Sequence, residues 1–333
     1  MKINQLGNSD IRLSAIGLGT WAIGGGGYGF GWGPQDDKQS IETIHRSIDL
    51  GINWIDTAPV YGLRHSEEIV GKAIKEKRDQ VIISTKCGIV WGEDRNIAFN
   101  LDKDSVRAEV EQSLKRLNID VIDLYQIHKP IPAEKIEEAW GVLADLVKQG
   151  KIRYAGVSSF TLEQLKQVQP IHPVAFLQPE YNMLEPGIEQ DILGYCAANN
   201  IGVISYSPMA SGLLTGKFTK EKFESLPADD WRREEDPHFQ EPQFSAHLQL
   251  VEKLRPIAER NNKTLSQLAI AWVLRRPEVT SAIVGARRPS QIEQTAAAGD
   301  WVLSEIDKAE LDTILKDHHD RLKELKEQVE ESK

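Results

Sequence analysis

The stretch WIDTAPVYGLRHSEEIVGKAI, residues 54–74, joins a short apolar strand to a helical segment through a polar turn. The strand ends on the carboxylate of Asp56, and Tyr61 follows five residues later beside a glycine. A helical pattern then begins and continues to residue 77. Strands that alternate with helices are the repeating unit of parallel sheets. Two questions follow: how often this unit recurs, and why a buried strand ends on a charged side chain.

The same strand–helix unit recurs along the chain. Apolar strands are predicted at 15–20, 52–56, 81–85, 121–127, 154–158, 175–180, 202–207 and 281–285. Helical periodicity is present at 38–51, 66–77, 104–117, 136–150 and 289–298. Eight units with nearly continuous apolar strands predict an α/β fold with a closed (β/α)8 barrel, the TIM barrel. A doubly wound open sheet is the alternative, but no GxGxxG opens a helix directly after a strand.

Four segments lie outside the repeating units. Residues 2–16 are predicted to form a β-hairpin that turns at GNSD, and this hairpin could close the bottom of the barrel. The glycine-rich loop 24–33 is either mobile or shapes the mouth of a pocket. The charged segment 215–245 is long for a loop, which indicates a functional or a disordered segment. The tail 315–333 is predicted to add an exposed C-terminal helix, and one domain is expected over 1–333 because no linker divides the chain.

Composition and charge exclude several classes of protein. The 333 residues carry a formal net charge of −10, so nucleic acid and anionic membranes are not expected as partners. The polar start MKINQLGNSD lacks the apolar core of a signal peptide, and no run approaches the length of a membrane span. Two distant cysteines, Cys87 and Cys196, are typical of a reducing compartment rather than of a disulfide framework or a metal site. We therefore expect a cytoplasmic protein without a metal.

Charged side chains stand at the ends of three successive strands. Asp56 ends the second strand, Lys86 follows the third and His128 the fourth, while Tyr61 comes from the loop after the second. In a parallel barrel the carboxyl ends of the strands meet at one face, where active sites lie. Each residue alone has an ordinary structural explanation, such as a turn cap, a packing aromatic, a lysine that reaches solvent or an interior histidine. Their coincidence at successive strand ends favours a catalytic site.

These four side chains suit the reduction of a carbonyl group. A tyrosine hydroxyl has a pKa of about 10 in water and is a poor proton donor at neutral pH. Lys86 is expected to lower the pKa of Tyr61, with Asp56 holding Lys86 charged and oriented. His128 could donate to a substrate carbonyl while a nicotinamide cofactor delivers hydride. A lyase or isomerase that forms a Schiff base on Lys86 is an alternative, but it would not need Tyr61.

A set of motifs resembles the aldo-keto reductases in order and spacing. They are LGTW (18–21), DTAPVYG (56–62), STK (84–86), LYQIH (124–128), KIRYAGVSSF (151–160), SPMASGLLTGK (207–217) and VGARRPSQIEQT (284–295). The resemblance covers nearly the whole chain and is nearest to the bacterial branch that contains the general stress protein and inositol-operon reductases. It implies a catalytic tetrad of Asp56, Tyr61, Lys86 and His128 and the NADPH-dependent, reversible reduction of aldehydes and ketones to alcohols. Because potassium-channel β subunits of the family retain the tetrad, a nucleotide-sensing regulatory subunit is the alternative.

The resemblance also implies which residues bind NADPH or NADP⁺. Ser158 and Ser159 match the contact to the nicotinamide carboxamide, Gln178 matches a second contact to it, and Tyr206 matches the aromatic residue that stacks on the nicotinamide ring. The other positions implied for the cofactor are Gly19, Thr20, Trp21, Asp56, Ser207, Pro208, Leu213, Gly216, Lys217, Arg232, Gly285, Ala286, Arg287, Gln291 and Gln294.

Several of these positions depart from the family pattern. Ser159 stands where relatives commonly have asparagine, Gly285-Ala286 where many have Lys-Ser, and Gln291 where many have arginine. The usual partners of an adenosine 2′-phosphate are therefore replaced. Arg287 or Arg288 could take their place because a guanidinium pairs well with phosphate, although two surface arginines before a helix are also ordinary. We predict that Arg287 holds the phosphate.

Tryptophans near the predicted barrel mouth indicate an aromatic-walled substrate pocket. Trp21, Trp32 and Trp91 lie in or beside loops at this end, and Trp231 lies in the segment 215–245. Trp21, Trp32 and Trp91, together with His128, are predicted to contact a small carbonyl substrate. Tryptophan often packs for stability alone, and an aromatic wall fits a broad range of aldehydes without naming one.

Overall fold

The computed structural model describes residues 1–233 and 235–331. Its centre is a closed barrel of eight parallel strands. Around the barrel these strands are β3 (Ile16–Gly19), β4 (Trp54–Asp56), β5 (Ile82–Cys87), β8 (Ile122–Ile127), β9 (Ile152–Ser158), β10 (Phe176–Gln178), β11 (Gly202–Ser205) and β12 (Val279–Gly285). The predicted (β/α)8 barrel is confirmed, and all eight strands fall within about two residues of the predicted spans.

Two antiparallel hairpins stand outside the barrel. The first pairs β1 (Ile3–Gln5) with β2 (Arg12–Ser14), as the sequence predicts. The second pairs β6 (Ile89–Trp91) with β7 (Ile97–Phe99) and follows β5 directly. The sequence did not predict this second hairpin.

Helices surround the barrel and connect its strands. Their bounds are α1 (Asp37–Asp49), α2 (His65–Ile74), α3 (Lys103–Leu117), α4 (Ile136–Lys148), α5 (Leu162–Val168), α6 (Ile192–Ala198), α7 (Lys220–Glu224), α8 (Gln243–Arg260), α9 (Leu265–Val273), α10 (Pro289–Ala296) and α11 (Glu305–Glu331). Local chemistry sets the ends of these helices. In α1 the carboxylate of Asp36 accepts a hydrogen bond from the N–H of Gln39, and Gly51, with φ of 82°, follows the last turn.

The first hairpin closes the bottom of the barrel. Leu6 and Leu13 have no exposed surface and pack against Trp54, Phe176 and Ile283 in the barrel interior. The amino-terminal end of the barrel is therefore filled with apolar side chains, as such barrels require. Among the described residues, the large cavity lies at the opposite, carboxyl end.

The remaining predicted segments are largely helical. The segment 215–245 contains α7, two single-turn 3₁₀ helices at Trp231–Arg233 and Pro237–Phe239, and the start of α8. The predicted tail helix is the end of α11, which begins at Glu305. Residues 234, 332 and 333 of these two predictions lie outside the described part of the chain. Among the described residues, no helix is both long and apolar enough to cross a membrane.

Candidate active site

A cavity of about 1440 Å³ opens at the carboxyl ends of the barrel strands. Ligand pockets commonly measure about 300–1,000 Å³, so this one has room for a large cofactor and a small substrate together. Its walls come from the loop 24–35 after β3, from the segment 206–238 after β11, and from the start of α10. The position agrees with the face predicted from the strand ends.

An ion pair lies at the base of the cavity. The Lys86 side chain has no exposed surface, and its Nζ donates to Asp56 Oδ2 over 2.6 Å and to the Thr57 carbonyl over 2.9 Å. The other oxygen of Asp56, Oδ1, accepts from Gln178 Nε2 at 2.9 Å and from Ser84 Oγ at 3.2 Å. Both charges are therefore paired and hydrogen-bonded, which is the condition for keeping them in a buried site.

Burial and the aspartate act on Lys86 in opposite directions. Loss of water lowers the pKa of Lys86, and the neighbouring Asp56 carboxylate raises it again. Asp56 thus acts to keep the buried lysine protonated, which is the role that the sequence predicted for it.

Tyr61 lies beside this pair, and its ring forms part of the cavity wall. Lys86 Nζ lies 4.9 Å from the centre of the Tyr61 ring. The lowered pKa predicted for Tyr61 is wrong for this structure, because burial raises it well above the usual value and the Asp56 carboxylate adds to the effect. Water reaches the ring only through the cavity, so the phenolate form is poorly solvated. Tyr61 is therefore held as a protonated phenol.

His128 completes the group of four. Its ring centre lies 5.8 Å from that of Tyr61, edge to face. Burial lowers the pKa of His128 well below its usual value, and the charges of Lys86 and Lys129 add to the effect. The imidazole is therefore neutral, with one N–H to donate and one nitrogen to accept. All four residues of the predicted tetrad come together at one end of the barrel.

Most of the predicted cofactor and substrate residues line the cavity. They are Gly19, Trp21, Trp32, Asp56, Ser158, Gln178, Tyr206, Ser207, Pro208, Lys217, Arg232, Gly285, Ala286, Arg287, Gln291 and Gln294. Thr20, Ser159, Leu213 and Gly216 do not line it, although each adjoins a residue that does. Trp91 also lies outside the lining, in β6, with the Arg64 guanidinium 5.6 Å from its ring centre. Ile89, Ile97 and Phe99 of the same hairpin line the cavity instead.

Arg287 is engaged by the loop after β3. Its guanidinium donates to Gln35 Oε1 over 2.7 Å, to the Trp32 carbonyl over 3.0 Å and to the Pro34 carbonyl. The Arg287 guanidinium is therefore already hydrogen-bonded to residues of this loop. Arg288 is exposed, and within the described residues its side chain makes no hydrogen bond or ion pair.

Two loops meet across the mouth of the cavity. The N–H of Trp231 donates to the Gly31 carbonyl over 3.2 Å, and Asp229 Oδ2 accepts from the N–H of Gly27 over 3.3 Å. The ring of Trp21 packs against that of Trp231, with centres 4.9 Å apart. The glycine-rich loop therefore shapes the pocket mouth, which was one of the two roles considered from the sequence.

A family model matches the part of the chain that contains the barrel, the tetrad and the residues predicted to bind the cofactor. A model described as the Aldo/keto reductase family matches residues 15–316. The chain belongs to this family. Membership makes it an oxidoreductase of carbonyl compounds that uses a nicotinamide cofactor. Among the described residues of this aldo/keto reductase, no cluster of histidine, cysteine or carboxylate side chains is arranged to hold a metal ion.

Individual relatives agree with this assignment. The reductase is 43% identical over 318 residues to the aldo-keto reductase YhdN of Bacillus subtilis (strain 168), covering 95% of this chain and 94% of the relative. It is 37% identical over 321 residues to the NADH-specific methylglyoxal reductase of Escherichia coli (strain K12), covering 92% and 96%. The solved structure of the glycerol dehydrogenase AKR11B4 from Gluconobacter oxydans superposes with a TM-score of 0.85 at 39% identity, covering 95% of each chain.

The reductase has a second group of polar residues that sequence reasoning did not assemble. Lys129, Ser159, Glu180 and Tyr206 follow the ends of the adjacent strands β8, β9, β10 and β11. Lys129 Nζ lies 2.9 Å from Ser159 Oγ and 3.5 Å from the Tyr206 hydroxyl. Lys129 and Glu180 were missed, although they stand just past strand ends, the same pattern that indicated Asp56 and Lys86.

Proposed function

We propose that the protein reduces small aldehydes and ketones to alcohols with NADPH, and that residues 1–333 act as one catalytic domain. The observation that carries the proposal is that Asp56, Tyr61 and His128 line one large cavity, with the buried Lys86 paired to Asp56 behind them. Neither a structural ion pair nor a packing tyrosine needs to face a cavity of this size.

The geometry suggests a division of labour among the four residues. His128, as a neutral imidazole, donates a hydrogen bond to the substrate carbonyl and orients it. Tyr61 gives its proton to the oxygen as negative charge develops there. Lys86, whose Nζ lies 4.9 Å from the centre of the Tyr61 ring, then stabilises the phenolate, and Asp56 keeps Lys86 charged. A bound nicotinamide cofactor supplies the hydride.

The residues present fit such a cofactor. Ser158 and Gln178 are almost fully buried, stand opposite each other on β9 and β10, and line the cavity. Tyr206 offers an aromatic face beside them. At the other end of the cavity, the first turn of α10 and the arginines before it provide an anion site.

Cofactor choice depends on the arginines before α10. Because the Arg287 guanidinium already donates to the loop 32–35, we assign the 2′-phosphate of NADPH to Arg288 and a loop-holding role to Arg287. The relative from E. coli is named as NADH-specific, so the choice needs a direct measurement. Arg288→Ala should weaken NADPH binding by about 1.5–3 kcal/mol, one to two decades, and leave NADH binding unchanged. Arg287→Ala should weaken both cofactors similarly, because it releases a loop that both contact.

A small substrate is the best fit to the aromatic end of the cavity. The rings of Trp21, Trp32 and Trp231 pack against one another with centres 4.9–6.2 Å apart, next to Tyr61. Two of the similar proteins are named for methylglyoxal and glycerol, both three-carbon compounds. We propose short aldehydes and ketones that carry a second oxygen.

The test is NADPH oxidation by the purified protein with a panel of short aldehydes, 2-oxoaldehydes and hydroxyketones. Turnover that disappears in Tyr61→Phe supports the proposal. Tight NADPH binding without turnover of any carbonyl would favour the nucleotide-sensing alternative instead. A preference for long apolar aldehydes over three-carbon ones would contradict the substrate class but not the reaction.

A further inference from the structure

We propose that Lys129 and Glu180 set the relative affinity of the site for oxidised and reduced nicotinamide cofactor. The inference rests on the proposed function, because it places the nicotinamide ring against Tyr206. The oxidised ring carries one positive charge that the reduced ring lacks. A fixed charge beside the ring therefore favours one form over the other, by an amount that the ratio of the two dissociation constants measures.

Lys129 lies where it would act on that charge. Its Nζ is 2.9 Å from Ser159 Oγ and 3.5 Å from the Tyr206 hydroxyl, and these two oxygens are 3.3 Å apart. Ser159 is the residue matched with the carboxamide contact, and its φ of 59° fixes the turn that presents it. The ammonium thus adjoins two positions expected to touch the nicotinamide. It disfavours the oxidised ring.

Glu180 has the opposite effect. It lines the cavity two residues after Gln178, and its carboxylate is close enough to raise the pKa values of both Tyr206 and Lys129. A negative charge at this point favours the oxidised ring. The two side chains approach the same tyrosine from strands β8 and β10, so the net charge beside Tyr206 depends on both of them.

That net charge changes with pH in the neutral range. Burial raises the pKa of Glu180 to about 7, with Glu185 and Asp236 adding to the rise and Lys129 opposing it. Burial also lowers the pKa of Lys129, and Glu180 opposes that change. Below pH 7 Glu180 is protonated and Lys129 acts alone, so the reduced cofactor is favoured. Above pH 7 the carboxylate offsets the ammonium, and the preference for the reduced form should decrease.

The test compares the dissociation constants of NADP⁺ and NADPH, measured by quenching of tryptophan fluorescence at pH 6 and pH 8. Lys129→Gln should lower the ratio of the NADP⁺ constant to the NADPH constant by about fivefold to tenfold, and Glu180→Gln should raise it at pH 8 by a similar factor. Lys129→Arg keeps the charge and should keep the wild-type ratio. Glu180→Gln should also abolish the pH dependence of the ratio.

A matched control changes the same charge away from the cavity. Lys135→Gln removes an exposed ammonium that pairs with Asp102 and Glu138, and it should leave the ratio unchanged. If Lys129→Gln and Glu180→Gln alter both constants by the same factor, the pair only positions Tyr206 and the inference is overturned. If the wild-type protein binds neither NADP⁺ nor NADPH, the proposed function fails together with it.

Discussion

Lys86 and Asp56 form a 2.6 Å ion pair inside a barrel where the lysine has no exposed surface. Neither charge could remain there alone, because removing one partner of a buried pair leaves an unpaired charge. The pair also lies directly beneath Tyr61, so its charge state and the acidity of the phenol are coupled.

The first prediction concerns the proton donor. Tyr61→Phe removes the hydroxyl and keeps the ring, so carbonyl reduction should fall by about a hundredfold to ten-thousandfold while NADPH binding stays near normal. Steady-state rates and a fluorescence titration would measure the two quantities. Near-normal turnover of this variant would exclude Tyr61 as the acid.

The second prediction separates the two members of the ion pair. Lys86→Met should be nearly as damaging as the loss of Tyr61, because no cation then stabilises the phenolate. Asp56→Asn should be milder at low pH, where Lys86 is still protonated. Without Asp56 the pKa of Lys86 should fall further, since the carboxylate is what opposes the lowering by burial. As the pH is raised, Asp56→Asn should therefore lose its activity at a lower pH than the wild type does. Identical pH profiles would contradict this coupling.

The third prediction concerns acid stability. His247 of α8 is 1% exposed and lies 3.0 Å from His318 of α11 and 3.4 Å from His238, nitrogen to nitrogen. Burial and the neighbouring histidines lower the pKa of His247 to about 3. Because the unfolded chain binds the proton more readily, the free energy of unfolding should decrease as the pH falls from about 6.5 toward 3. His247 alone should account for about 1–2 kcal/mol between pH 7.5 and pH 5.

Urea titrations at the two pH values would measure this effect. His247→Gln should lose less stability on acidification than the wild type does. The surface variant His65→Gln, at a side chain that is 37% exposed, should leave the difference unchanged. Equal acid losses in all three proteins would show that another group is responsible.

The fourth prediction concerns the closed end of the barrel. Leu13→Ala removes a side chain with no exposed surface from the interior cluster and should cost about 2–5 kcal/mol of unfolding free energy. Ile3→Ala, in the same hairpin but 38% exposed, should cost about 0.5 kcal/mol or less. NADPH binding should be unchanged in both variants, because the hairpin lies at the end opposite the cavity. Similar losses in the two variants would mean that the hairpin does not fill the barrel.

The fold and the tetrad were predictable because both depend on local patterns. Each barrel strand is an apolar run, and Asp56, Lys86 and His128 stand at strand ends that the topology then brings together. The pKa of Tyr61 was not predictable, because it depends on how loops distant in sequence enclose the ring. The contacts of Arg287 were not predictable for the same reason: its hydrogen-bond partner Gln35 is 252 residues away, and no periodicity joins them.

Trp91 gives a different lesson. Its position after β5 suggested the barrel mouth, but the short hairpin β6–β7 places isoleucine and phenylalanine side chains on the cavity and leaves the tryptophan with Arg64. Three-residue strands carry too little pattern to fix which residues face a ligand.

The contacts between the loop 24–35 and the segment 229–231 have a kinetic consequence. These hydrogen bonds cross the mouth of the cavity, and we expect them to slow the passage of a molecule as long as a dinucleotide. Exchange of spent for fresh cofactor should then be faster when the loops separate. The turnover number should then be limited by release of the cofactor rather than by the chemical step. A substitution that loosens the Trp231–Gly31 contact should speed cofactor release and raise the turnover number.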